Sequence, residues 1–166
     1  MKRKSVRIYS FTGTGSHLAL NLAEKLKQEG YVCTGYTVAR FAEDKRLQRL
    51  NDGWKQEIGA SWGEHALVFI GAAGIAVRMI APHVKDKFTD SPVLVMDEKG
   101  SYVIPLLSGH VGGAVELAKE IAEKINAQAV LTTATDVEQK FAVDVFAKSN
   151  GLVLTDRKKA KEISGV

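Results

Sequence analysis

The feature that most constrains this chain is a strand, a glycine-rich turn and a helix that follow one another within residues 101–125. Residues 102–107 (YVIPLL) are an apolar run that predicts a short strand. Residues 108–113 read SGHVGG and predict a tight turn. Apolar side chains then recur with a period near 3.6 up to Ile125, which predicts an amphipathic helix. Such a turn is a common ligand-binding element of α/β proteins, because the helix N-terminus offers free N–H groups.

The rest of the chain repeats this alternation. Further strands are predicted at 5–11, 31–38, 66–70, 93–96, 129–131 and 152–154. Helices are predicted at 17–30, with Ser16 as N-cap, and at 42–51, 54–62, 75–80 and 136–150, with a last one from 155. Alternating strands and helices indicate a mostly parallel layered α/β sheet with helices on both faces. Too few residues separate strands 93–96 and 102–107 for a crossover helix, so an inserted antiparallel hairpin is expected at about 93–107.

Composition excludes several classes of protein. The sequence contains no run of about 18 apolar residues, so no membrane span is predicted. Much of the net charge of +4 lies in the terminal segments MKRK and DRKKAK. No aromatic residues are interleaved with these charges, so nucleic-acid binding is not expected. The single cysteine, Cys33, fits a reducing cytoplasm and is interpreted as a small buried hydrophobe.

Four loops rich in Gly, Ser and Thr follow predicted strands: FTGTGSH, GAAGIAVR, SGHVGG and TTATD. Ligands of open α/β sheets bind outside the carboxyl ends of strands, so the four loops together predict a ligand cleft. None has the spacing of a dinucleotide fingerprint or a phosphate-binding P-loop.

Several polar side chains in or near these loops have two readings. His110 is a candidate general acid or base, with Ser108 two residues away. Equally, Ser108 caps the helix and His110 bonds a carbonyl. Arg78 is either a carboxylate clamp or a surface arginine. Asp97 and Glu98 are a carboxylate pair, but a DEKG turn requires no function and is the simpler interpretation. The other three histidines, His17, His65 and His83, lack partners at metal-ligand spacing, so no metal site is expected.

In order along the chain, these motifs resemble those of the CbiG family, the cobalt-precorrin-5A hydrolases of the oxygen-independent cobalamin pathway. The family patterns GA-x-GI-x-VR-x-IAP, D-K-x-x-D-P, V-x-DE, IPLLSGH-x-GGAN-x-LA and TTATD match at 71–82, 86–92, 95–98, 104–118 and 132–136. Val115 replaces the family's Asn, and Ser91 stands before Pro92 where the family has Asp. The resemblance implies an N-terminal α/β domain at 1–136 and the start of the family's middle region at 137–166, with the C-terminal domain absent.

The resemblance also implies an activity. Family members open a δ-lactone of a cobalt-corrinoid, release acetaldehyde and give cobalt-precorrin-5B. Cobalt arrives with the substrate, so no cofactor is expected. A separate C-terminal domain or a second copy of the chain stays open as a partner, and the cytoplasm is the expected location. The candidate substrate-binding residues are Gly71, Gly74, Arg78, Gly109, Gly112, Gly113, Thr132, Thr133 and Asp136.

Chemical reasoning then suggests catalytic roles. His110 is the expected general base on water, oriented by Asp97 or Glu116. Ser108 orients the water or the lactone carbonyl, and backbone N–H groups of the turn hold the oxyanion. Two other hypotheses remain open: a non-catalytic corrinoid-binding module that needs a further domain, and a nucleotide-binding α/β protein.

Overall fold

A computed structural model describes residues 4–50, 52–109 and 112–133. Its core is one seven-stranded sheet in the order β3-β2-β1-β4-β5-β6-β7. The strands are β1 (Ser5–Ser10), β2 (Val32–Thr37), β3 (Leu47–Arg49), β4 (Ala66–Ile70), β5 (Val93–Met96), β6 (Tyr102–Leu107) and β7 (Gln128–Ala129). The helices are α1 (Gly13–Gln28), α2 (Trp54–Ser61), α3 (Ala73–Ile80) and α4 (Ala114–Ile125), with 3₁₀ turns at Ala39–Phe41 and Ala81–His83.

The fold class predicted from the sequence is confirmed. Strands β1 to β5 pair in parallel, whereas β6 pairs antiparallel to β5, with Val95 opposite Ile104 and Met96 opposite Val103. Strand β7 is parallel to β6. The last two strands of the order therefore run opposite to the first five.

Helices cover both faces of the sheet, because the strand side chains alternate between two apolar clusters. On one face, α1 and α4 pack against a cluster that includes Ile8, Val68 and Leu94. On the other face, α2 and α3 pack against a cluster that includes Tyr9 and Phe69. Alternate strand residues bury on opposite faces, as a two-layered core requires.

Two local predictions are wrong. The helix expected at 42–51 is instead the short strand β3, in which Leu47 pairs with Gly35 of β2. A side chain at residue 35 would meet the Leu47 Cδ2 atom at 2.6 Å, so glycine there admits the buried leucine. This tertiary packing overrides local helix propensity.

The second error concerns the start of α1, which begins four residues earlier than predicted. Its N-cap is Thr12, whose Oγ1 accepts the Gly15 N–H at 3.0 Å. Ser16, the expected cap, lies inside the helix, and its hydroxyl donates to the Thr12 carbonyl. The elements predicted at 136–150, at 152–154 and from 155 lie outside the described residues, as does the proposed boundary at 136.

Candidate functional site

The antiparallel strand β6 places the four glycine-rich loops at two opposite edges of the sheet. We call "switch edge" the one where β1, β4 and β5 end, formed by 11–15, 71–74 and 97–100. We call "hairpin edge" the opposite one, where β6 ends, formed by 90–91, 108–109, 112–113 and 132–133. A five-residue strand is about 16 Å long, so loops at the two edges cannot both contact the same reacting bond of a substrate. The prediction that all four loops line one cleft is therefore wrong.

At the hairpin edge, Ser108 is a buried loop residue. Its hydroxyl donates to the Asp90 carbonyl at 3.1 Å, and its side chain and backbone are 8% exposed. Its φ of 55° lies in the left-handed region, which a non-glycine residue adopts only when its surroundings enforce it. The Ser108 hydroxyl is thus engaged within the protein.

The described residues of this loop hydrogen-bond to the start of α4. The N–H groups of Ala114 and Val115 donate to the carbonyls of Ser108 and Gly109, at 3.3 and 3.0 Å. A Cβ on Gly112 would meet both the Ser108 Cβ and the Ser108 carbonyl oxygen at 2.5 Å, so only glycine fits there. The turn fills two of the four N–H groups that begin α4 with its own carbonyls.

The predicted binding residues of the last loop lie beside this turn. A Cβ built on Gly109 would come within 3.8 Å of the Thr133 Cγ2 atom, so the two loops are in contact. Thr132 is exposed, and Gly113 adopts a φ of 89°. His110 and Asp136 lie outside the described residues. The structure thus brings together the candidates Ser108, Gly109, Gly112, Gly113, Thr132 and Thr133.

The Asp90 carboxylate accepts hydrogen bonds from two separate segments at this edge. Its carboxylate accepts the Lys85 N–H at 2.9 Å and the Trp62 indole N–H at 3.2 Å, and the residue is 7% exposed. Next to it, the buried Ser91 hydroxyl accepts the Gly63 N–H at 2.8 Å. The DKFTDSP motif therefore shapes the loop that receives Ser108.

The switch edge is built differently. In the order of the sheet, β1 and β4 are neighbours, but β1 leads to α1 on one face and β4 leads to α3 on the other. This is a topological switch point, where open α/β sheets bind ligands. Gly71 passes closely under Phe11, since an added Cβ would lie 3.1 Å from its ring. A Cβ on Gly74 would have nothing within 4 Å, so the start of α3 borders open space.

Two backbone N–H groups at the start of α3 are available as hydrogen-bond donors. Among the described residues no side chain caps this helix, and the N–H groups of Ala73 and Gly74 have no acceptor. Gly71 and Gly74 are therefore placed at the switch edge, away from the other candidates. Arg78 lies in the last turn of α3, exposed, where the helix has run back along the sheet.

At the switch edge, Thr12 is a residue that the sequence did not single out, and Glu98 is one for which a turn was the simpler interpretation. The Thr12 hydroxyl donates to Glu98 Oε2 at 2.6 Å, although one residue follows β1 and the other follows β5. The position of Glu98, two residues after a buried apolar strand, is the available signal for a carboxylate at this edge.

Asp97, by contrast, is a turn residue, as the simpler interpretation held. Its carboxylate accepts the N–H groups of Tyr102 and Lys99 at 2.7 and 3.2 Å. Desolvation opposes ionisation of this carboxyl, but these hydrogen bonds outweigh it and lower the pKa of Asp97. Asp97 lies at the switch edge, and its role in orienting His110 stays a prediction because His110 lies outside the described residues. Glu116 is exposed in the first turn of α4.

A third polar group lies where β1 and β4 begin. His65 Nδ1 lies 2.6 Å from the Ser5 hydroxyl, and Nε2 lies 3.3 Å from an Arg7 N–H nitrogen. Arg7 can only donate, so Nε2 accepts and Nδ1 carries the proton. Burial, and then the Arg7 charge, lower the pKa of His65.

The remaining candidates carry little chemistry. Cys33 is buried, as predicted, and burial raises the pKa of its thiol to about 11. Within the described ranges, no three His, Cys, Asp or Glu side chains cluster closely enough to hold a metal ion. None of the helices described there is long and apolar enough to cross a membrane. Two surface grooves of about 400 Å³ border α1, one lined by residues that include His17 and the other by residues that include Lys99 and Gly100.

Comparison with known proteins agrees with the motifs. Residues 58–136 match the family described as Cobalamin synthesis G N-terminal. A cobalt-precorrin-5A hydrolase of Salmonella typhimurium is 40% identical over 157 residues, which cover 89% of this chain and 40% of that protein. A cobalt-precorrin-5A hydrolase of Priestia megaterium is 35% identical and covers 92% of this chain and 41% of its own length. The chain thus spans about two fifths of these relatives.

A solved structure supports the fold. The crystal structure of a cobalamin biosynthesis protein G homolog from Sulfolobus solfataricus superposes with a TM-score of 0.63 at 24% sequence identity. The superposition covers 97% of this chain and 45% of that one. Motifs, relatives and fold together show that the chain resembles the CbiG family, with the match centred on that family's N-terminal region.

Proposed function

We propose that this chain is a cobalt-precorrin-5A hydrolase of anaerobic cobalamin biosynthesis, or the N-terminal part of one. In this reaction water opens the δ-lactone of the corrinoid, a two-carbon fragment leaves as acetaldehyde, and cobalt-precorrin-5B is formed. The observation that carries the proposal is the 40% identity to the Salmonella hydrolase over 89% of this chain.

The substrate class fits the described surface. A cobalt-corrinoid is edged with carboxylates, which backbone N–H groups at helix starts and an exposed Arg78 are suited to receive. The chain's net charge of +4 attracts such a polyanion. Cobalt enters as part of the substrate, so we propose no cofactor held by the protein. We propose action in the cytoplasm, without nucleic-acid or membrane partners.

The hairpin edge supplies one set of proposed catalytic groups. His110 would take a proton from the attacking water, and its neighbours in the turn would hold the oxyanion. Few described groups of the turn remain available to assist His110. The Ser108 hydroxyl already donates to the Asp90 carbonyl, and the N–H groups of Ala114 and Val115 already have acceptors. Replacement of His110 by alanine tests this set, since unchanged acetaldehyde release would remove His110 from the mechanism.

A binding module is the second candidate function. The chain spans about two fifths of its curated relatives, so the remaining three fifths have room for catalytic groups. On this view the present α/β sheet binds the corrinoid, and another domain supplies the catalytic groups.

One experiment separates these functions. The 166-residue chain is incubated with cobalt-precorrin-5A, while the corrinoid absorption spectrum reports binding and an alcohol dehydrogenase assay reports acetaldehyde. Binding with catalytic release of acetaldehyde supports the hydrolase. Binding without release supports the module. Neither binding nor release would contradict both, and a thermal-shift response to nucleotides would then favour a nucleotide-binding protein.

A further inference from the structure

Glu98 reaches across the end of a neighbouring strand. It follows β5, yet its carboxylate meets Thr12 after β1, and β4 lies between those two strands. The side chain therefore spans the end of β4, where Gly71 begins the next loop. This position is the topological switch point, so the carboxylate lies where ligands of such sheets bind.

Thr12 fixes the direction of this contact. Its Oγ1 accepts the Gly15 N–H at 3.0 Å, so its one proton is free to go to Glu98 Oε2 at 2.6 Å. That leaves Glu98 Oε1 without a hydrogen-bond partner among residues 4–50, 52–109 and 112–133. A carboxylate held through one oxygen, with the other oxygen available, has the form of a general base.

The surroundings add what a hydrolytic step needs. The N–H groups of Ala73 and Gly74 lack acceptors in the described structure, and a Cβ built on Gly74 would have nothing within 4 Å. Free backbone N–H groups of this kind are suited to stabilise an oxyanion. The side chain of Glu98 is partly buried, which limits its motion.

We propose that Glu98 is the general base of lactone opening, an assignment that rests on the proposed function. Glu98 Oε1 takes a proton from water as the water oxygen attacks the lactone carbonyl carbon, whose π electrons move to the carbonyl oxygen. The intermediate then re-forms the carbonyl and breaks the ring C–O bond. The departing alkoxide receives the proton from Glu98, which leaves a hydroxy acid and a regenerated carboxylate. Glu98 and His110 are thus two alternative assignments of the same base.

The test compares Glu98→Gln with Glu123→Gln in the full 166-residue chain. Glutamine at residue 98 keeps an oxygen that accepts the Thr12 hydroxyl but has no basic carboxylate. Glu123 is exposed on α4 and serves as the matched control. We expect Glu98→Gln to lower kcat for acetaldehyde release at least about 100-fold, because general-base catalysis contributes about that much or more. KM and the spectral shift on corrinoid binding should stay within about twofold, and the control should match the wild type.

Each other outcome has a defined meaning. A Glu98→Gln chain that keeps more than half of the wild-type kcat overturns the assignment, above all where His110→Ala abolishes turnover. Corrinoid binding by the wild-type chain without acetaldehyde release also overturns it, since the base of this chain then has no reaction. Absence of corrinoid binding by the wild-type chain overturns the proposed function itself.

Discussion

The two edges of the sheet carry similar sequences and use them differently. Each has a glycine-rich loop between a strand and a helix. At the hairpin edge the described groups have partners within the protein: the Ser108 hydroxyl, the Asp90 carboxylate and the N–H groups of Ala114 and Val115. At the switch edge the first N–H groups of α3 and one oxygen of Glu98 stay available within the described structure. A glycine-rich turn therefore serves either close packing or ligand binding. Turns whose polar groups bond within the protein indicate packing, and turns with available polar groups indicate a ligand site.

The glycines themselves show the same contrast. Gly112 is required because its backbone nearly touches Ser108, whereas Gly74 borders open space. Identical residues thus serve close packing at one edge and accessibility at the other. Substitutions at these two positions test the contrast most strongly.

The largest effect is expected for Gly112→Ala. The new methyl would lie 2.5 Å from both the Ser108 Cβ and its carbonyl oxygen, so the turn must open. We expect a loss of about 3 kcal/mol in the free energy of unfolding, measured by urea denaturation. Gly74→Ala is the matched control. It should leave stability unchanged or raise it by about 0.5 kcal/mol, because alanine favours a helix over glycine. Equal losses in the two variants would contradict the contrast between the edges.

A smaller effect is expected for Asp90→Ala. The variant leaves the Lys85 N–H and the Trp62 indole N–H without their acceptor in a buried site. Unsatisfied buried donors of this kind should cost about 2 kcal/mol of unfolding free energy. Trp62 fluorescence should report the change directly. Glu43→Ala, at an exposed carboxylate, is the control. A stability equal to that of the control would show that the hairpin edge does not depend on Asp90.

At the switch edge, Thr12→Ala removes the N-cap of α1 and the donor to Glu98. Loss of the cap should cost about 1 kcal/mol, measured by thermal or urea unfolding. Thr12→Ser keeps a hydroxyl and should recover most of that stability. If serine and alanine destabilise equally, the hydroxyl is not the source of the effect.

The smallest effect is a pH dependence from His65. Its pKa in the folded chain is below the ordinary value of 6.5, first through burial and then through Arg7. The unfolded chain binds this proton more tightly, so the contribution of His65 is complete above about pH 6.5 and declines as the pH falls below it. Unfolding free energies measured between pH 5 and 8 should therefore fall more steeply on the acid side in the wild type than in His65→Gln. Parallel profiles for the two proteins would contradict this account.

Much of the fold followed from local patterns. The continuous apolar run of β4 and the short link between β5 and β6 predicted a buried parallel strand and a hairpin, and both are present. Local pattern does not predict strand β3, because this strand depends on a tertiary contact. Leu47 packs on Gly35, and local periodicity does not encode that pairing.

The site was harder to predict for a topological reason. Each glycine-rich loop does follow the carboxyl end of its own strand, but the reversed direction of β6 sends two of the loops to the opposite edge. The short link between β5 and β6 predicts the hairpin, but local pattern alone does not show to which edge the later loops go. The Thr12–Glu98 contact joins residues 86 positions apart, a separation at which sequence pattern carries no signal.

A distance measurement tests the separation of the two edges most directly. Nitroxide labels would be attached at Gly74→Cys and Thr132→Cys, both at exposed positions, in a Cys33→Ala background. The length of β4 together with the three strand spacings from β4 to β7 predicts a separation of about 20 Å by pulsed dipolar spectroscopy. A separation below about 10 Å would place both loops in one cleft and would contradict the division into a closed hairpin edge and an open switch edge.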